Sequence, residues 1–336
     1  MLAAVIEGPG AVVVRETAPP RAAGLALVRV TQAGVCGTDR KLAAGVMPVT
    51  PPRVLGHEMT GLVEVPAPGA TVPAGTPVVV NPAVFCGMCP QCRRDRPNLC
   101  ARGGLLGRDV DGCFAEYVAV AEPLLHPLPN GITADEGALV QVLSTCLHAQ
   151  SGVPLAPDSS AVVIGLGVSG LLHLQLLRAR GVRTIIGVTR AAWKRDLALA
   201  CGASAVVPPD DAAGAVAAAT GGRGADLAIE SAGTSATLAQ AMRLAGPGAT
   251  VIVFGVLPGG DGLPAYEAYL KELTIRWPRA SRPRDFDTAI RLCADRRLDV
   301  APLVTGRFPL EKVTEALVAS EQPEHLKIVL DVAGAP

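Results

Sequence analysis

The stretch AVVIGLGVSGLLHLQLL, residues 161–177, decides the class of fold. A short apolar run leads into Gly165, Gly167 and Gly170 in the spacing G-x-G-x-x-G, and Val168 opens a helical pattern. The first glycine permits a tight turn, the second lets the backbone approach a pyrophosphate, and the third lets the helix pack on the strand. A helix N-terminus also favours negative charge. The segment predicts a dinucleotide site; the alternative is a tight strand-to-helix turn with no ligand.

Apolar runs alternate with helix-length segments on the C-terminal side of this motif. RTIIGVT (183–189) is followed by AAWKRDLALACGA (191–203), and further strands are expected at Asp226–Glu230 and Thr250–Gly255 with a helix at 234–244 between them. Alternating strands and helices are typical of a parallel sheet with helical crossovers. The sequence therefore predicts an α/β domain here.

The first 120 residues show a different pattern, in which short valine-rich runs are separated by glycine and proline. The runs are ALVRV (26–30), GLVEV (61–65) and PVVV (77–80). They predict an antiparallel β domain. The tail contains a helix from about residue 285 and the run KIVLDV (327–332), which we expect to rejoin the first domain. The predicted division is 1–150, 151–285 and 286–336.

The end of the second strand of the α/β domain bears on the choice of dinucleotide. An NAD site places an acidic residue about 20 positions after the glycines, where it binds the ribose 2′-hydroxyl. This chain has Thr189 and Arg190 there, with Lys194 and Arg195 close by. A hydroxyl and a guanidinium can bind a 2′-phosphate, which a carboxylate would repel. We expect NADP(H) to be preferred over NAD(H); the alternative is that Arg190 is a solvated residue that does not discriminate.

Four cysteines lie close together in FCGMCPQCRRDRPNLC, residues 85–100. Cys86, Cys89, Cys92 and Cys100 have the spacing of a closed tetrahedral zinc site, which has no open position and is therefore structural. An iron–sulfur cluster and four unligated thiols are the alternatives. A second set is dispersed: Cys36, His57, Glu58 and Gln141. Each of these is unremarkable alone, since a lone cysteine or histidine is more often a packed residue.

Composition narrows the class of partner. Lys plus Arg and Asp plus Glu each number 30, so no net basic field favours nucleic acid or an anionic membrane. We find no signal peptide and no apolar run of membrane-spanning length. The sequence thus predicts a cytoplasmic protein that acts on small molecules, with cysteines that are reduced or bound to metal.

GVCGTD, GHE, the cysteine lobe, the glycine motif and the segment KELTIR together resemble the zinc-containing medium-chain dehydrogenase/reductase family. The order of motifs is similar to its sorbitol, threonine and glucose dehydrogenase branches. The resemblance implies a GroES-like catalytic domain built from both chain ends, an inserted Rossmann domain, and two zinc ions per subunit, one catalytic and one structural.

The resemblance also implies roles for the dispersed residues. Cys36 and His57 take catalytic zinc-ligand positions, and Glu58 takes the place of a carboxylate that binds zinc or lies just behind it. Gln141 occupies the third-ligand position, where relatives usually carry glutamate. Glutamine is a neutral, weaker ligand, so the site keeps positive charge unless Glu58 coordinates. A glutamine at this position is similar to the pattern of the glucose dehydrogenase branch, whose members often take NADP.

Three further positions follow from the resemblance. Thr38 is expected to receive the substrate's hydroxyl proton, and Thr145 is expected to contact the nicotinamide. Lys41 stands where many relatives carry a histidine that passes protons to solvent, and we interpret it as a solvated or ribose-contacting residue. The family usually forms dimers or tetramers through edge strands of the Rossmann sheet, here expected within Thr250–Gly255 and Glu272–Trp277.

These inferences predict hydride transfer between NADP(H) and a zinc-bound alcohol or carbonyl, with a sugar, polyol or cyclitol as the favoured substrate. The alternatives are an NAD(H)-dependent dehydrogenase of secondary alcohols, aldehydes or L-threonine, a zinc-independent enone reductase, and a catalytically silent cofactor-binding or metal-sensing protein. Fold does not imply function. Retention of Cys36, Thr38, His57 and Glu58 together favours an enzyme.

Overall fold

The computed structural model describes residues 1–257 and 262–332 and shows two compact units. Unit 1 comprises Met1–Ser144, Ala280–Arg296 and the chain from Val300 onward. Unit 2 comprises Thr145–Arg279 with Arg297–Asp299. Unit 1 is thus built from both ends of the chain, and unit 2 lies almost wholly between them in sequence.

Eighteen strands are present in the described residues. Unit 1 opens with β1 (Leu2–Gly8), β2 (Ala11–Glu16), β3 (Ala26–Val35), β4 (Arg53–Val54), β5 (Glu58–Val65), β6 (Pro77–Val80), β7 (Ala83–Val84), β8 (Gly104–Leu105), β9 (Tyr117–Val120) and β10 (Leu125–Pro127). Unit 2 holds β11 (Ser160–Ile164), β12 (Thr184–Val188), β13 (Ala205–Val207), β14 (Ala225–Glu230), β15 (Ala245–Val253) and β16 (Thr274–Arg276). The chain then adds to unit 1 the strands β17 (Val304–Pro309) and β18 (Lys327–Asp331).

The described part of the chain also forms ten α-helices. They are α1 (Gly37–Ala43), α2 (Pro90–Arg93), α3 (Ala134–Gln150), α4 (Val168–Ala179), α5 (Arg195–Ala200), α6 (Ala212–Thr220), α7 (Ser235–Leu244), α8 (Ala265–Leu270), α9 (Pro283–Ala294) and α10 (Val313–Ala319). None of the helices in the described ranges has the length and apolar character needed to cross a membrane.

Unit 1 is β-rich. Its largest sheet has the order β10-β6-β5-β3-β18-β17, with β9 also pairing with β3, and its β3–β5, β5–β6 and β3–β9 pairs are antiparallel. The three valine-rich runs of the sequence lie in β3, β5 and β6, which confirms the antiparallel prediction. The late strand β18 pairs antiparallel with β3, so that Ile328 lies opposite Val35. This pairing brings the C-terminal strand next to the segment that precedes Cys36.

Six parallel strands form one sheet in unit 2. The order β13-β12-β11-β14-β15-β16 reverses direction between β11 and β14, and every neighbouring pair is parallel. This is the classical order of the doubly wound dinucleotide-binding fold, which binds its ligand at the carboxyl ends of the strands where the order reverses. The α/β prediction is confirmed.

One sequence-based expectation about the sheet is wrong. Residues Thr250–Gly255 were expected at an edge of the sheet, but β15 pairs with β14 on one side and β16 on the other. Its central residues Val251, Ile252 and Val253 are buried, so the apolar run of an interior parallel strand looks the same in sequence as that of a covered edge strand. The edge strand on this side is β16.

Candidate active site

The first element of the site is the turn that begins α1. Cys36 is the N-cap residue, with extended backbone, and Asp39 is the third helical residue. The Oδ2 atom of Asp39 accepts a hydrogen bond of 2.9 Å from the backbone N–H of Cys36. A carboxylate at this position satisfies a donor that the helix leaves free. The same contact fixes the backbone from which the Cys36 thiol projects.

Asp39 also holds the second candidate ligand. Its Oδ1 atom lies 3.1 Å from Nδ1 of His57, and both side chains are buried. A carboxylate accepts from an imidazole N–H, which leaves Nε2 of His57 as the nitrogen with a free lone pair for a metal. Burial lowers the pKa of His57, but the charges of Asp39 and Cys36 outweigh burial and raise this pKa well above its usual value. The imidazole therefore lies in a strongly negative environment, as a cation-binding position requires.

Three ligating side chains come together at this point. The Sγ of Cys36, a ring nitrogen of His57 and a carboxylate oxygen of Glu58 all lie within 4.8 Å of one another. A thiolate and an imidazole are ligands of catalytic zinc, and the Glu58 carboxylate places a negative charge directly beside them. The two segments that supply them are far apart in sequence but adjacent in the sheet, because β3 leads into Cys36 and pairs with β5, which begins at Glu58. The residues present fit a zinc ion.

A buried cation lies beside these ligands. Lys327, the first residue of β18, donates from Nζ to Oε2 of Glu58 at 2.6 Å and to the carbonyl oxygen of Val35 at 3.1 Å. Lys327 and Glu58 are only 4% and 1% exposed. Burial lowers the pKa of Lys327, yet the nearby charges of Glu58, Cys36 and Asp39 outweigh it and raise the pKa, so the ammonium group stays charged. Lys327 was not predicted as a site residue from the sequence.

The other predicted residues near the site are placed as follows. Thr38 is half-buried in the first turn of α1, next to Cys36. Gln141 and Thr145 are half-buried residues of α3, the first in unit 1 and the second in unit 2. The carbonyl of Gln141 accepts a bond of 2.7 Å from the Ser144 hydroxyl. The roles of these three side chains stay predictions.

The cysteine lobe forms a second cluster in unit 1. The Sγ of Cys89 lies 3.5 Å from that of Cys92 and 3.8 Å from that of Cys100, which in turn lies 3.5 Å from that of Cys86. Tetrahedral zinc with bonds of about 2.3 Å places its sulfur ligands about 3.8 Å apart. Backbone amides of Met88 and Cys89 lower the pKa of Cys86 to about 5, which favours the thiolate. These four side chains fit a closed metal site.

The glycine motif forms the predicted turn in unit 2. Gly165 follows β11 with φ +90°, and a Cβ there would lie 2.8 Å from the backbone nitrogen of Ala232. A Cβ on Gly170 would lie 2.0 Å from the carbonyl oxygen of Gly165. A Cβ on Gly167 would meet no heavy atom of residues 1–257 and 262–332 within 4 Å, apart from its neighbours in the chain. The turn itself therefore requires Gly165 and Gly170. Gly167 instead leaves open space at the N-terminus of α4, where a pyrophosphate would fit.

The end of β12 carries the residues that bear on the choice of dinucleotide. The hydroxyl of Thr189 accepts a bond of 3.2 Å from the amide of Ala191, and Arg190 is exposed. Half-buried Lys194 has its Nζ 5.1 Å from the centre of the Trp193 ring, and burial lowers its pKa. This strand end therefore presents a hydroxyl and two cationic side chains.

Glu230, at the end of β14, is a second residue that was not predicted from the sequence. It is fully buried, and its Oε1 accepts from the amides of Ala232 and Gly233 at 2.7 Å each and from the hydroxyl of Thr237 at 2.8 Å. These bonds shape the loop that follows β14, at the point where the strand order reverses. The signal in the sequence was a charged residue directly after the apolar run LAI (227–229).

Comparison with known proteins agrees with this architecture. The family described as "Alcohol dehydrogenase GroES-like domain" matches residues 22–130, and the family described as "Zinc-binding dehydrogenase" matches residues 168–295. The chain is 34% identical to a probable zinc-binding alcohol dehydrogenase of Mycobacterium tuberculosis, over 100% of this chain and 91% of that protein. It is 29% identical to the sorbitol dehydrogenase of Bacillus subtilis, over 90% of this chain and 89% of the relative.

Solved structures are similar over nearly the whole chain. The alcohol dehydrogenase TADH from Thermus sp. ATN1 has a TM-score of 0.92 and 32% identity, covering 99% of this chain and 100% of that one. A zinc-binding dehydrogenase from Sinorhizobium meliloti, solved with NADP, has a TM-score of 0.90 and 33% identity, covering 98% of each chain.

A β-rich unit with two clusters of metal-ligating side chains, joined in sequence to a dinucleotide-binding unit, defines a zinc-dependent oxidoreductase acting on CH–OH groups. The chain belongs to the zinc-containing medium-chain alcohol dehydrogenase family.

Proposed function

We propose that this protein transfers hydride between NADP(H) and a sugar, polyol or cyclitol, using one catalytic zinc and one structural zinc per subunit. The observation that carries the choice of cofactor is the end of β12, where Thr189 and Arg190 stand in place of an acidic residue. The structure with NADP from Sinorhizobium meliloti supports the same choice.

Cys36 and His57 would hold the catalytic zinc, with Gln141 as the third protein ligand. When bound, zinc supplies Lewis acidity that lowers the pKa of a coordinated hydroxyl group. Thr38 receives the hydroxyl proton in the direction of oxidation and returns it in reduction. Gly165, Gly167, Val168 and Gly170 bind the dinucleotide's phosphates, and Thr145 contacts its nicotinamide. These assignments rest on the family resemblance together with the positions of Cys36 and His57.

The relatives support the substrate class. Similar curated proteins include a 2-dehydro-3-deoxy-L-galactonate 5-dehydrogenase and several D-xylulose reductases, at 28–29% identity. The names of these proteins describe substrates with several hydroxyl groups. We expect initial rates with NADP to be highest on polyols, aldoses or cyclitols when these are compared with L-threonine and simple secondary alcohols. Faster turnover of L-threonine or a simple secondary alcohol would overturn the substrate proposal.

A variant pair tests the cofactor proposal. Replacing Arg190 with alanine removes the exposed guanidinium beside the expected 2′-phosphate, so the KM for NADP should rise at least about tenfold, the loss of roughly 1.4 kcal/mol, while the KM for NAD changes little. Arg183 precedes β12 at its opposite end and is also exposed, so Arg183→Ala is the matched control. Equal changes for both cofactors, or for both variants, would contradict a role of Arg190 in selecting NADP.

Metal content tests the proposal of two sites. Zinc analysis should give two ions per chain, and Cys89→Ser should reduce this to one while lowering the melting temperature, because closed zinc sites stabilise the fold around them. Cys201, a buried cysteine in unit 2, provides the control: Cys201→Ser should retain two ions. One ion per chain in the unmodified protein would overturn the proposal.

We also propose a homodimer or homotetramer formed through the edge strand β16. Exposed large side chains flank this strand in the sequence of unit 2: Tyr266, Tyr269 and Leu270 in α8 and Trp277 directly after β16 are 59–76% exposed. An edge strand flanked by apolar residues is a typical interface between identical subunits. Trp277→Arg should shift the sedimentation coefficient towards that of a monomer, whereas the same change at exposed Trp193 should not.

A cytoplasmic location is part of the proposal. None of the nine cysteines, all of which lie in the described ranges, is paired in a disulfide, and cysteines stay reduced or bound to metal where the compartment is reducing. Fractionation of the producing cells would test this location.

A further inference from the structure

The charges around Cys36 balance only when Lys327 is included. A Cys36 thiolate, Glu58 and Asp39 give three negative charges, and a divalent zinc ion would offset two of them. The buried ammonium of Lys327 offsets the third. Because isolated buried charges are costly, each carboxylate here needs a partner, and Asp39 and Glu58 have different ones: His57 for the first and Lys327 for the second.

The packing around Glu58 leaves its carboxylate little freedom while Lys327 is present. Oε2 is bound to the ammonium at 2.6 Å, and an added Cβ on Gly34 would lie only 2.4 Å from this same oxygen. Lys327 is itself anchored to the carbonyl of Val35, the residue before Cys36. The pairing of β18 with β3 fixes this anchor, since Ile328 lies opposite Val35 in the sheet.

We propose that Lys327 is a positioning residue that holds Glu58 beside the zinc and out of its coordination sphere. The inference rests on the proposed function in that Cys36 and His57 hold the metal. Its consequence is chemical: with Glu58 neutralised by lysine, the zinc keeps the positive charge that makes it an effective Lewis acid. Without Lys327, the freed carboxylate of Glu58 would be attracted to the metal. The protein would then bind the metal more tightly, and the metal would polarise the substrate less.

The test compares Lys327→Met, Lys327→Arg and the double variant Lys327→Met/Glu58→Gln. Each is prepared with cobalt(II) at the Cys36 site and zinc in the cysteine lobe, and Cys36→Ser identifies the bands that belong to this site. Cobalt absorption reports the number and type of ligands independently of activity. Metal affinity is measured by competition with a chelator, and kcat and KM are measured on the zinc forms.

For Lys327→Met we expect an altered cobalt spectrum and tighter metal binding, because a neighbouring positive charge is removed, together with a kcat lower by about 10- to 100-fold, the usual loss of activity when a partner of a metal ligand is removed. Lys327→Arg keeps the cation and should resemble the unmodified protein. Removing the carboxylate charge in the double variant should restore the original spectrum, even if the methionine variant is less stable.

Two results would overturn parts of this account, and they differ. A folded Lys327→Met protein with an unchanged cobalt spectrum and unchanged or weaker metal binding would overturn the role of Lys327 alone. An unmodified protein whose cobalt bands are insensitive to Cys36→Ser would overturn the catalytic metal site, and the inference with it.

Discussion

Asp39 connects two candidate zinc ligands: its Oδ2 accepts from the Cys36 amide at 2.9 Å, and its Oδ1 lies 3.1 Å from Nδ1 of His57. One carboxylate therefore fixes both the backbone of the thiol and the tautomer of the imidazole. Asparagine would present an amide N–H in place of one oxygen, and a donor facing Nδ1 favours the tautomer with its proton on Nε2. That proton occupies the nitrogen needed by the metal.

Asp39→Asn should accordingly weaken zinc binding at the Cys36 site by about 10- to 100-fold. Chelator competition measures this loss directly. Asp285 plays the same capping role at the start of α9, where it accepts from the Arg282 amide at 2.8 Å. Asp285→Asn is the matched control and should leave zinc affinity unchanged. Equal losses in both variants would indicate a general effect of cap removal.

The glycine motif allows folding and ligand binding to be separated. Gly170→Ala places a methyl group 2.0 Å from a carbonyl oxygen and should destabilise unit 2, whereas the methyl group of Gly167→Ala meets no heavy atom of the described residues within 4 Å beyond its neighbours in the chain. The Gly167 methyl group would instead fill the space expected for the pyrophosphate. We expect Gly167→Ala to retain the melting temperature and lose dinucleotide affinity by tenfold or more in fluorescence titrations. Unchanged affinity would place the pyrophosphate elsewhere.

The free energy of unfolding should decrease as the pH is lowered, because the folded chain keeps His173 unprotonated. This residue is fully buried in α4, packs edge-to-face on Phe254 and has its pKa lowered to about 3 by burial. The unfolded chain takes up the proton near pH 6.5, whereas the folded chain resists it, so stability is complete above pH 6.5 and declines as the pH falls towards 3. The slope contributed by one histidine is at most about 1.4 kcal/mol per pH unit.

His173→Gln removes this titration and still offers an acceptor to Gln150, whose Nε2 lies 3.0 Å from Nδ1 of His173. Melting temperatures measured between pH 7 and 4.5 should therefore fall less steeply in the variant than in the unmodified protein. Parallel curves would show that His173 does not contribute to the acid sensitivity of the fold.

The sequence predicted those elements whose local residue pattern is typical of a single kind of structure. It did not predict contacts between residues that are far apart in the chain. Glycine spacing after an apolar strand identified the turn at Gly165, and valine-rich runs identified β3, β5 and β6. Asp39 was not predicted from the sequence, although it stands third after Cys36 in the spacing of a capping box, and its bond to His57 depends on the pairing of β3 with β5. Lys327 was hidden for the same reason, since its partner Glu58 is 269 residues away.

Glu230 shows how a buried charge can order a ligand-binding loop. Its Oε1 accepts three hydrogen bonds, two from the amides of Ala232 and Gly233 and one from Thr237, and among the described residues its Oε2 has no hydrogen-bond partner. The loop lies where the strand order of the sheet reverses, the place at which such folds bind dinucleotides. Glutamine keeps the accepting oxygen, whereas leucine removes the acceptor of all three hydrogen bonds, each of which contributes about 1 kcal/mol.

Glu230→Gln should therefore retain both the melting temperature and the dinucleotide affinity, while Glu230→Leu should lower both. Thr237→Val removes a single donor and leaves the two amide bonds in place, so its effect should be smaller than that of Glu230→Leu. Thermal denaturation and titration of NADPH fluorescence measure the two quantities on the same samples. If Glu230→Leu lost stability but kept its affinity for NADPH, the bonds of Glu230 would support the fold without shaping the cofactor site.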